Sequence, residues 1–279
     1  PQPGQQPDEF HALKVGRLRT LEIRGLAGQV GHQQWFIKAE AESTLRELGE
    51  RGDIIKRMHR ALTERGIERG SASYVLAGES LDVSVIGRLV ERGLDDELKG
   101  TAYAVVDGVD GRTHHIRLPH LDATGDSPPG SIVELRAYED AKGDRRVALA
   151  VRSDLDLQHQ VSATGATWLD RQSIAREPVA MSDGGFGAEV RDAMRQRAEH
   201  LVGEGLAEQQ GRRVIFNRNL IDTLRRREVD AVAGQLAKET GQPFKPAESG
   251  EYVAGTYRQR LTLASGRFAM IDDGLGFQL

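Results

Sequence analysis

Apolar residues recur at helical spacing and then in short strand-like runs in two separate stretches of the chain, 17–48 and 187–227. Each stretch reads as a helix, a tight hairpin and a second helix, which is typical of a winged-helix module. The shared segments are Gly-Leu-Ala (25–27 and 205–207), three apolar strand residues (35–37 and 214–216) and Thr-Leu-Arg (44–46 and 223–225). This repeat predicts two related winged-helix-like modules.

The first stretch opens with a helix that we expect to run from near Glu9 to a left-handed stop at Gly25, where Leu26 folds back onto the last turn. The apolar residues of this helix share one broad face, which indicates a helix packed against a core. They are Phe10, Leu13, Leu18 and Leu21.

A second helix is expected after each hairpin. In the first copy, Gly49 and Gly52 weaken this helix. Asp53 then offers an N-cap for a new helix that ends at Gly66. In the second copy, one helix is predicted over residues 220–240.

Between the two helical stretches, from about residue 81, apolar residues form short runs separated by Asp-Gly, Pro-Gly and Lys-Gly-Asp turn sequences. Such runs predict antiparallel strands joined by turns. About five strands over this length favour a small barrel of undefined type. The strands are expected at 83–89, 101–106, 113–118, 132–137 and 147–151.

A weaker repeat links this β region to the end of the chain. The matched pairs are 103–108 with 268–274, and 85–88 with 253–256. Two explanations of this repeat remain open. The two segments are structurally related, or their turn residues recur for local reasons. In both cases Asp272 and Asp273 are interpreted as turn residues rather than as an acid/base or metal-binding pair.

The combined pattern predicts an α+β protein in which two winged-helix-like modules are interleaved with small antiparallel, barrel-like β modules. The last β module is expected to be truncated at Leu279. The predicted modules are 8–70, 80–152, 153–241 and 250–279.

Composition narrows the class of protein. The 279 residues carry a net charge of −4 and are 38% hydrophobic, with no cysteine. Disulfides and thiolate metal sites are therefore excluded, and a reducing cytoplasm is the expected location. The sequence contains neither a membrane-spanning apolar run nor a signal segment. Because the chain begins with Pro1 rather than Met, we expect it to be part of a longer protein.

Four segments resemble one protein family. They are ATGATWLDRQ (163–172), GTYRQRLTLASGRFAMIDDGLGFQL (255–279), GERGDIIKRMHRAL (49–62) and FGAEVRDAMRQRAEHLVGEGLA (186–207). They are similar to the uncharacterised region that follows the nicking domain in bacterial relaxase/mobilisation nucleases, the conjugative relaxases related to the Ti-plasmid virulence endonuclease. The resemblance extends over nearly the whole chain from Asp8.

The resemblance implies a parent enzyme that nicks one plasmid strand with a tyrosine, uses a histidine-bound metal, and is exported by a type IV secretion system. The motif for that chemistry is absent from this sequence. His114 and His115 are adjacent on a predicted strand, so they point to opposite faces and are not expected to share a metal. We therefore predict no catalytic residue, metal or cofactor in this chain, and expect the catalytic domain before Pro1.

Two roles remain for a non-catalytic region of a relaxase. The first is binding of duplex DNA at or near the transfer origin, by a helix in the major groove and a wing on the phosphates. The candidate residues are Lys14, Arg17, Arg19, Arg24, Arg191, Arg195, Arg212, Arg213 and Arg218. The first copy is the preferred candidate because its helix carries fewer acids.

The alternative role is protein docking, in which the region carries a secretion signal and engages the type IV coupling protein or accessory relaxosome proteins. The near-neutral charge of the chain favours docking, whereas the arginines on helix and wing favour DNA. Acidic residues lie among the arginines of the second copy, so ordinary solvated helix faces also explain them.

Overall fold

The structure, a computed structural model, describes residues 7–31, 34–76, 83–247 and 250–279. The chain divides into two compact units, Pro1–Arg57 and Met58–Leu279. Helices alternate with several small, mainly antiparallel sheets, so the predicted α+β class is confirmed. Among the described residues no helix is both long and apolar enough to span a bilayer.

The first unit is built from a helix, a hairpin and a second helix. Helix α1 (Pro7–Ile23) is followed by strands β1 (Ala27–Gly31) and β2 (Gln34–Ile37), and then by α2 (Ala41–Glu64). The residues of α2 from Met58 onward belong to the second unit. The core of the first unit consists of Leu21, Leu26, Ala27, Ala41 and the partly buried Leu45.

Helix α1 ends as the sequence predicts. Gly25 is left-handed with φ of 69°, and the Leu26 amide donates to the Leu21 carbonyl at 2.8 Å. The expected buried face of α1 is wrong in part, because Phe10 is 62% exposed and Leu13 is 71% exposed. Helical spacing reports that a face is apolar, but not whether anything covers it.

The expected N-cap at Asp53 is also wrong, because no new helix begins there. The helix runs without interruption through Gly49, Gly52 and Asp53. A glycine inside a helix costs only about 1 kcal/mol relative to alanine, and most helical stability in proteins comes from tertiary packing rather than from propensity.

The larger sheet has the strand order β3-β6-β5-β4-β7-β8. Its members are β3 (Tyr74–Leu76), β4 (Val85–Asp96), β5 (Thr101–Gly108), β6 (Thr113–Leu118), β7 (Ile132–Glu139) and β8 (Arg145–Ser153). One face of β4 to β8 packs into a single hydrophobic cluster, which includes Val106, Leu135 and Val147. A short 3-10 helix at Leu121–Thr124 places Ala123 in the same cluster.

All five predicted strands are present, and a sixth was missed. Strand β3 pairs with β6 in the parallel direction, and at three residues it is too short to give an alternation pattern. The two histidines diverge as expected. His114 Nε2 lies 2.9 Å from the Asp110 carboxylate, whereas His115 stacks on the ring of Tyr103.

The second copy of the helical unit contains two additional helices. Helices α3 (Leu157–Ser162) and α4 (Trp168–Ile174) precede α5 (Gly185–Gly203). The hairpin β9 (Ala207–Gln210) and β10 (Arg213–Phe216) follows, and then α6 (Leu220–Thr240). Helix α6 ends at Gly241, which is left-handed with φ of 70°. Whether either copy is a true winged helix stays a prediction, as do the four module boundaries.

The last sheet has the strand order β11 (Thr256–Leu263), β12 (Gly266–Asp272) and β13 (Phe277–Gln278). Met270 and Phe277 pack against Ala233 and Leu236 of α6. The interpretation of the two aspartates as turn residues is confirmed, since Asp272 Oδ1 accepts the Gly274 amide at 2.7 Å.

The two β regions share one pairing register, which favours structural kinship over local turn chemistry. Arg88 pairs with Asp107 as Thr256 pairs with Asp272. A β-bulge follows in each case, at Leu89/Glu91 and at Tyr257/Gln259. The residue before each pair is a glycine (Gly87 and Gly255), and a Cβ there would clash with the carbonyl oxygen of Asp107 or Asp272.

Candidate docking groove and basic surface

In the second helical copy, a buried ion pair holds residues 163–170 in the groove between α5 and α6. Arg197 of α5 is 1% exposed and Asp170 of α4 is fully buried. Arg197 Nε and Nη2 donate to the two oxygens of Asp170, each at 2.9 Å. The guanidinium also donates to the backbone carbonyls of Ala163 at 2.5 Å and Gly165 at 3.0 Å. Nearly every donor of this arginine is therefore used to hold residues 163–170.

The sequence of that segment places Asp170 where Arg197 can reach it. Thr167 is the N-cap of α4, its hydroxyl accepts the Asp170 amide, and Asp170 Oδ2 accepts the Thr167 amide at 2.8 Å. This reciprocal capping box fixes the carboxylate at the helix N-terminus, where negative charge is favoured.

Small residues allow the segment to lie between α5 and α6. A Cβ on Gly165 would clash with the carboxylate of Glu228 on α6. Ala166 is fully buried against Leu201 of α5 and Leu224 of α6. The Ala166 amide donates to Ser265 Oγ at 2.9 Å. Residues 163–170 thus fill the groove between the two helices of the second copy.

The first copy has the corresponding groove, and none of the residues that the structure describes forms such a segment in it. Counting back from the shared Gly-Leu-Ala, Arg17 occupies the position of Arg197, and Leu21 occupies that of Leu201. The core positions also match, since Leu21, Leu26 and Ala27 correspond to Leu201, Leu206 and Ala207. An open cavity of about 380 Å³ lies between α1 and α2. Its lining includes Arg17, Leu21, Arg24, Leu45, Gly52 and Lys56.

The four basic residues predicted on α1 do not form one surface. Arg17 and Arg24 line the groove, whereas Lys14 Nζ lies 4.3 Å from the centre of the Phe10 ring. Arg19 is two residues from Arg17, and a helix turns by about 200° over two residues, so Arg19 is directed away from the groove. The structure brings Lys56 of α2 to the groove, and the sequence analysis had not selected it.

The arginines of the second copy fall into two groups. Arg191 lies 3.0 Å from the Asp183 carboxylate, and Arg195 pairs with Asp192. The other group is exposed on the hairpin and at its exit, without an ion pair to any residue that the structure describes. Its members are Arg212, Arg213 and Arg218.

Sequence reasoning missed Arg197, Asp170 and Lys56. A signal for the first was present, because alignment of the two copies places Arg197 opposite Arg17. The sequence analysis did not select Arg197, and the partner of this arginine, Asp170, lies 27 residues away in the sequence.

A second charged cluster lies beside a cleft of about 520 Å³ within the second unit. Arg69 and Arg88 both bind the buried Asp107, at 2.9 and 2.8 Å. Both arginines also bind Glu189 of α5, at 2.6 and 3.0 Å. The four charges neutralise one another, so this cluster ties α5 to the larger sheet and offers no free charge for a ligand.

Taken together, the described residues define an α+β protein with two copies of a helix–hairpin–helix unit, each followed by an antiparallel sheet of common register. The chain belongs to the family described as "Protein of unknown function (DUF3363)", which it matches over residues 14–146 and 135–279. Each matched segment contains one hairpin and one set of following strands. No curated protein and no solved structure matches the chain.

Proposed function

We propose that this chain is the non-catalytic C-terminal region of a conjugative relaxase, and that it supports plasmid mobilisation by docking a protein segment between α1 and α2. The resemblance of four segments to that region supports the relaxase assignment. One observation carries the docking role: in the second copy, the equivalent groove holds residues 163–170 through the Arg197–Asp170 pair.

The filled groove indicates the chemistry of the docked segment. It needs small residues where it passes between the helices, as at Gly165 and Ala166, and a carboxylate that reaches Arg17. The apolar surface of Phe10 and Leu13, which is exposed, would be covered by aliphatic or aromatic residues of the same segment. Burial of such surface contributes about 25 cal/mol per Å². In a relaxase, this segment would belong to the type IV coupling protein or to an accessory relaxosome protein.

Fluorescence anisotropy of a labelled peptide of residues 156–176, titrated with the 279-residue chain, measures binding to the groove. We expect saturable binding that falls at least tenfold for Arg17→Glu, because losing one partner of a desolvated charge pair costs roughly 2–5 kcal/mol. Arg19→Glu is the matched control, since it changes the same charge on the other side of α1.

The charge swap provides the decisive comparison. A peptide carrying Asp170→Lys should bind the Arg17→Glu chain better than it binds the unchanged chain. Equal loss of binding for the Arg17 and Arg19 variants would contradict the docking role.

A second candidate function is binding of duplex DNA at or near the transfer origin. It is favoured by Arg212, Arg213 and Arg218, which are exposed on the hairpin and its exit without an acidic partner among the described residues. Arginine pairs well with phosphate oxygens, and a wing contacts phosphates in the winged-helix arrangement.

Mobility shifts with transfer-origin duplex separate the two functions. DNA binding predicts affinity that decreases steeply with salt, and a slope that becomes shallower by about 0.9 for each phosphate contact removed. Arg212→Glu with Arg213→Glu should reduce this binding and leave peptide binding unchanged. A chain that shows no shift at low salt excludes the DNA function without affecting the docking proposal.

A further inference from the structure

Two glycines of α2 form a notch in the groove of the first unit. Gly49 and Gly52 are three residues apart, so they lie on one side of the helix, and both line the cavity of about 380 Å³ between α1 and α2. Beyond the local helix backbone, no described atom lies within 4 Å of a Cβ built at either position. Glycine weakens a helix interior, and nothing in the described part of the chain requires it here. The backbone of α2 is therefore bare at this notch.

The second copy has a side chain where the first has the notch. Alignment of the shared Thr-Leu-Arg segments places Glu228 of α6 at the position of Gly49. Glu228 is buried, and its carboxylate oxygens accept the amides of Ala264 and Ser265, each at 2.9 Å. Because two backbone amides hold this carboxylate, it is not free to move aside for a neighbouring side chain.

The Glu228 side chain explains why the segment that fills the second groove has a glycine. A Cβ on Gly165 would overlap the Glu228 carboxylate. The backbone at this point is also fixed, because the Gly165 carbonyl accepts Arg197 Nη2 at 3.0 Å. In the second copy the helix supplies the side chain and the segment supplies the glycine, whereas in the first copy the helix supplies the glycine. The requirement for a glycine at the position of Gly165 therefore belongs to the second copy alone.

We propose that the notch selects a partner segment that carries an aliphatic side chain at the position of Gly165. The backbone of that segment would follow the path of residues 163–170, and the aliphatic side chain would enter the space that Glu228 fills in the second copy. A small residue is still needed at the position of Ala166, because Leu21 and Leu45 occupy the positions of the leucines that enclose it. This selectivity depends on the docking function proposed above, and it makes the two glycines the residues that determine specificity.

The surroundings of the notch favour an aliphatic side chain over a charged one. Leu45 and Leu48 line the same cavity, and Leu48 takes the position that the exposed Arg227 has in the second copy. Asp53 and Lys56 also line the cavity, but they form an ion pair at 3.4 Å and leave no net charge beside the notch. An aliphatic side chain would therefore be removed from water against leucine side chains and helix backbone, which is favourable.

Two labelled peptides of residues 156–176, one unchanged and one with Gly165→Leu, test the notch in titrations with the 279-residue chain. The Gly165→Leu peptide should bind about tenfold more tightly, because its side chain enters an apolar space. Gly49→Gln in the chain adds a side chain as long as that of Glu228 without adding charge. It should weaken binding of the Gly165→Leu peptide about tenfold by overpacking and leave the unchanged peptide nearly unaffected. Glu47→Gln is the matched control, since it places the same side chain on the opposite side of α2.

The outcomes separate the notch from the docking function. If the unchanged peptide binds through Arg17 and the Gly165→Leu peptide binds more weakly, the docking function stands and the notch proposal is overturned. An equal effect of Gly49→Gln on both peptides would also overturn it, because the notch would then not be selective. A dimer of the unmixed chain that Gly49→Gln dissociates would make a second copy the occupant, with the same consequence. If neither peptide binds, the docking function fails and the selectivity fails with it.

Discussion

Removal of the Asp170 carboxylate is expected to destabilise the second unit strongly. In Asp170→Asn the Arg197 guanidinium would remain 1% exposed but would lose a two-oxygen ionic partner with both contacts at 2.9 Å. The capping box between Thr167 and residue 170 would lose the negative charge of the carboxylate as well. Breaking a buried pair from one side costs about 3–5 kcal/mol, because an uncompensated charge is left in the interior.

A loss of this size is a large fraction of the 5–15 kcal/mol that is usual for a folded domain. For a urea m-value of about 3 kcal/mol per molar, the midpoint would fall by roughly 1–1.7 M. Trp168 is adjacent to the site and 3% exposed, so its fluorescence reports the transition. A Trp35→Phe background removes the signal of the first unit.

Asp192→Asn is the matched control, since its pair with Arg195 is exposed and worth at most about 1 kcal/mol. The double variant Asp170→Leu with Arg197→Met should be less destabilised than Asp170→Asn, because it leaves no buried charge. If Asp170→Asn costs no more than the Asp192 control, Arg197 does not hold residues 163–170 in the way described.

Three further predictions concern the groove, its filled counterpart and the last sheet. Gly49→Ala should raise the free energy of unfolding by about 0.5–1 kcal/mol, because a Cβ there meets open space inside a continuous helix. Thermal unfolding of the variant and the unchanged chain measures the difference. Gly165→Ala should instead lower the free energy of unfolding by roughly 1–3 kcal/mol, because the added methyl group overpacks against Glu228. An unchanged melting temperature would contradict that contact. The hydrogen bonds from Arg267 hold the pKa of Asp154 below its ordinary value, so this carboxylate stabilises the fold above about pH 4 and loses its effect as the pH falls further. Asp154→Asn should therefore be less stable than the unchanged chain at pH 7, with a smaller difference at pH 3, and equal differences at the two pH values would refute the linkage.

Local chemistry explains why the helix ends and strand positions were predictable. Gly25 and Gly241 adopt the left-handed conformation that glycine favours, and the Asp-Gly turns separate strands at the expected places. The uninterrupted α2 was not predictable in this way, because glycine propensity is a weak signal that packing overrides.

The surfaces were harder to predict than the elements. Spacing identified an apolar and basic α1, but it could not separate Arg17 in the groove from Arg19 outside it. Nor could it distinguish the exposed Arg17 from the buried Arg197, because burial depends on whether another segment covers the helix. That information is long-range, since Asp170 meets Arg197 only after the chain has turned back through α4 and α5.

The shared bulge and glycine register have a consequence for the history of the chain. From a glycine, a paired aspartate position and a bulge at the same three ladder positions we infer duplication of a whole helix–hairpin–helix–sheet unit. Among the described residues, the first copy has a six-stranded sheet and an open helical groove, whereas the second has a three-stranded sheet and a filled groove. The filled groove of the second copy is therefore the template for the contact that we propose for the first.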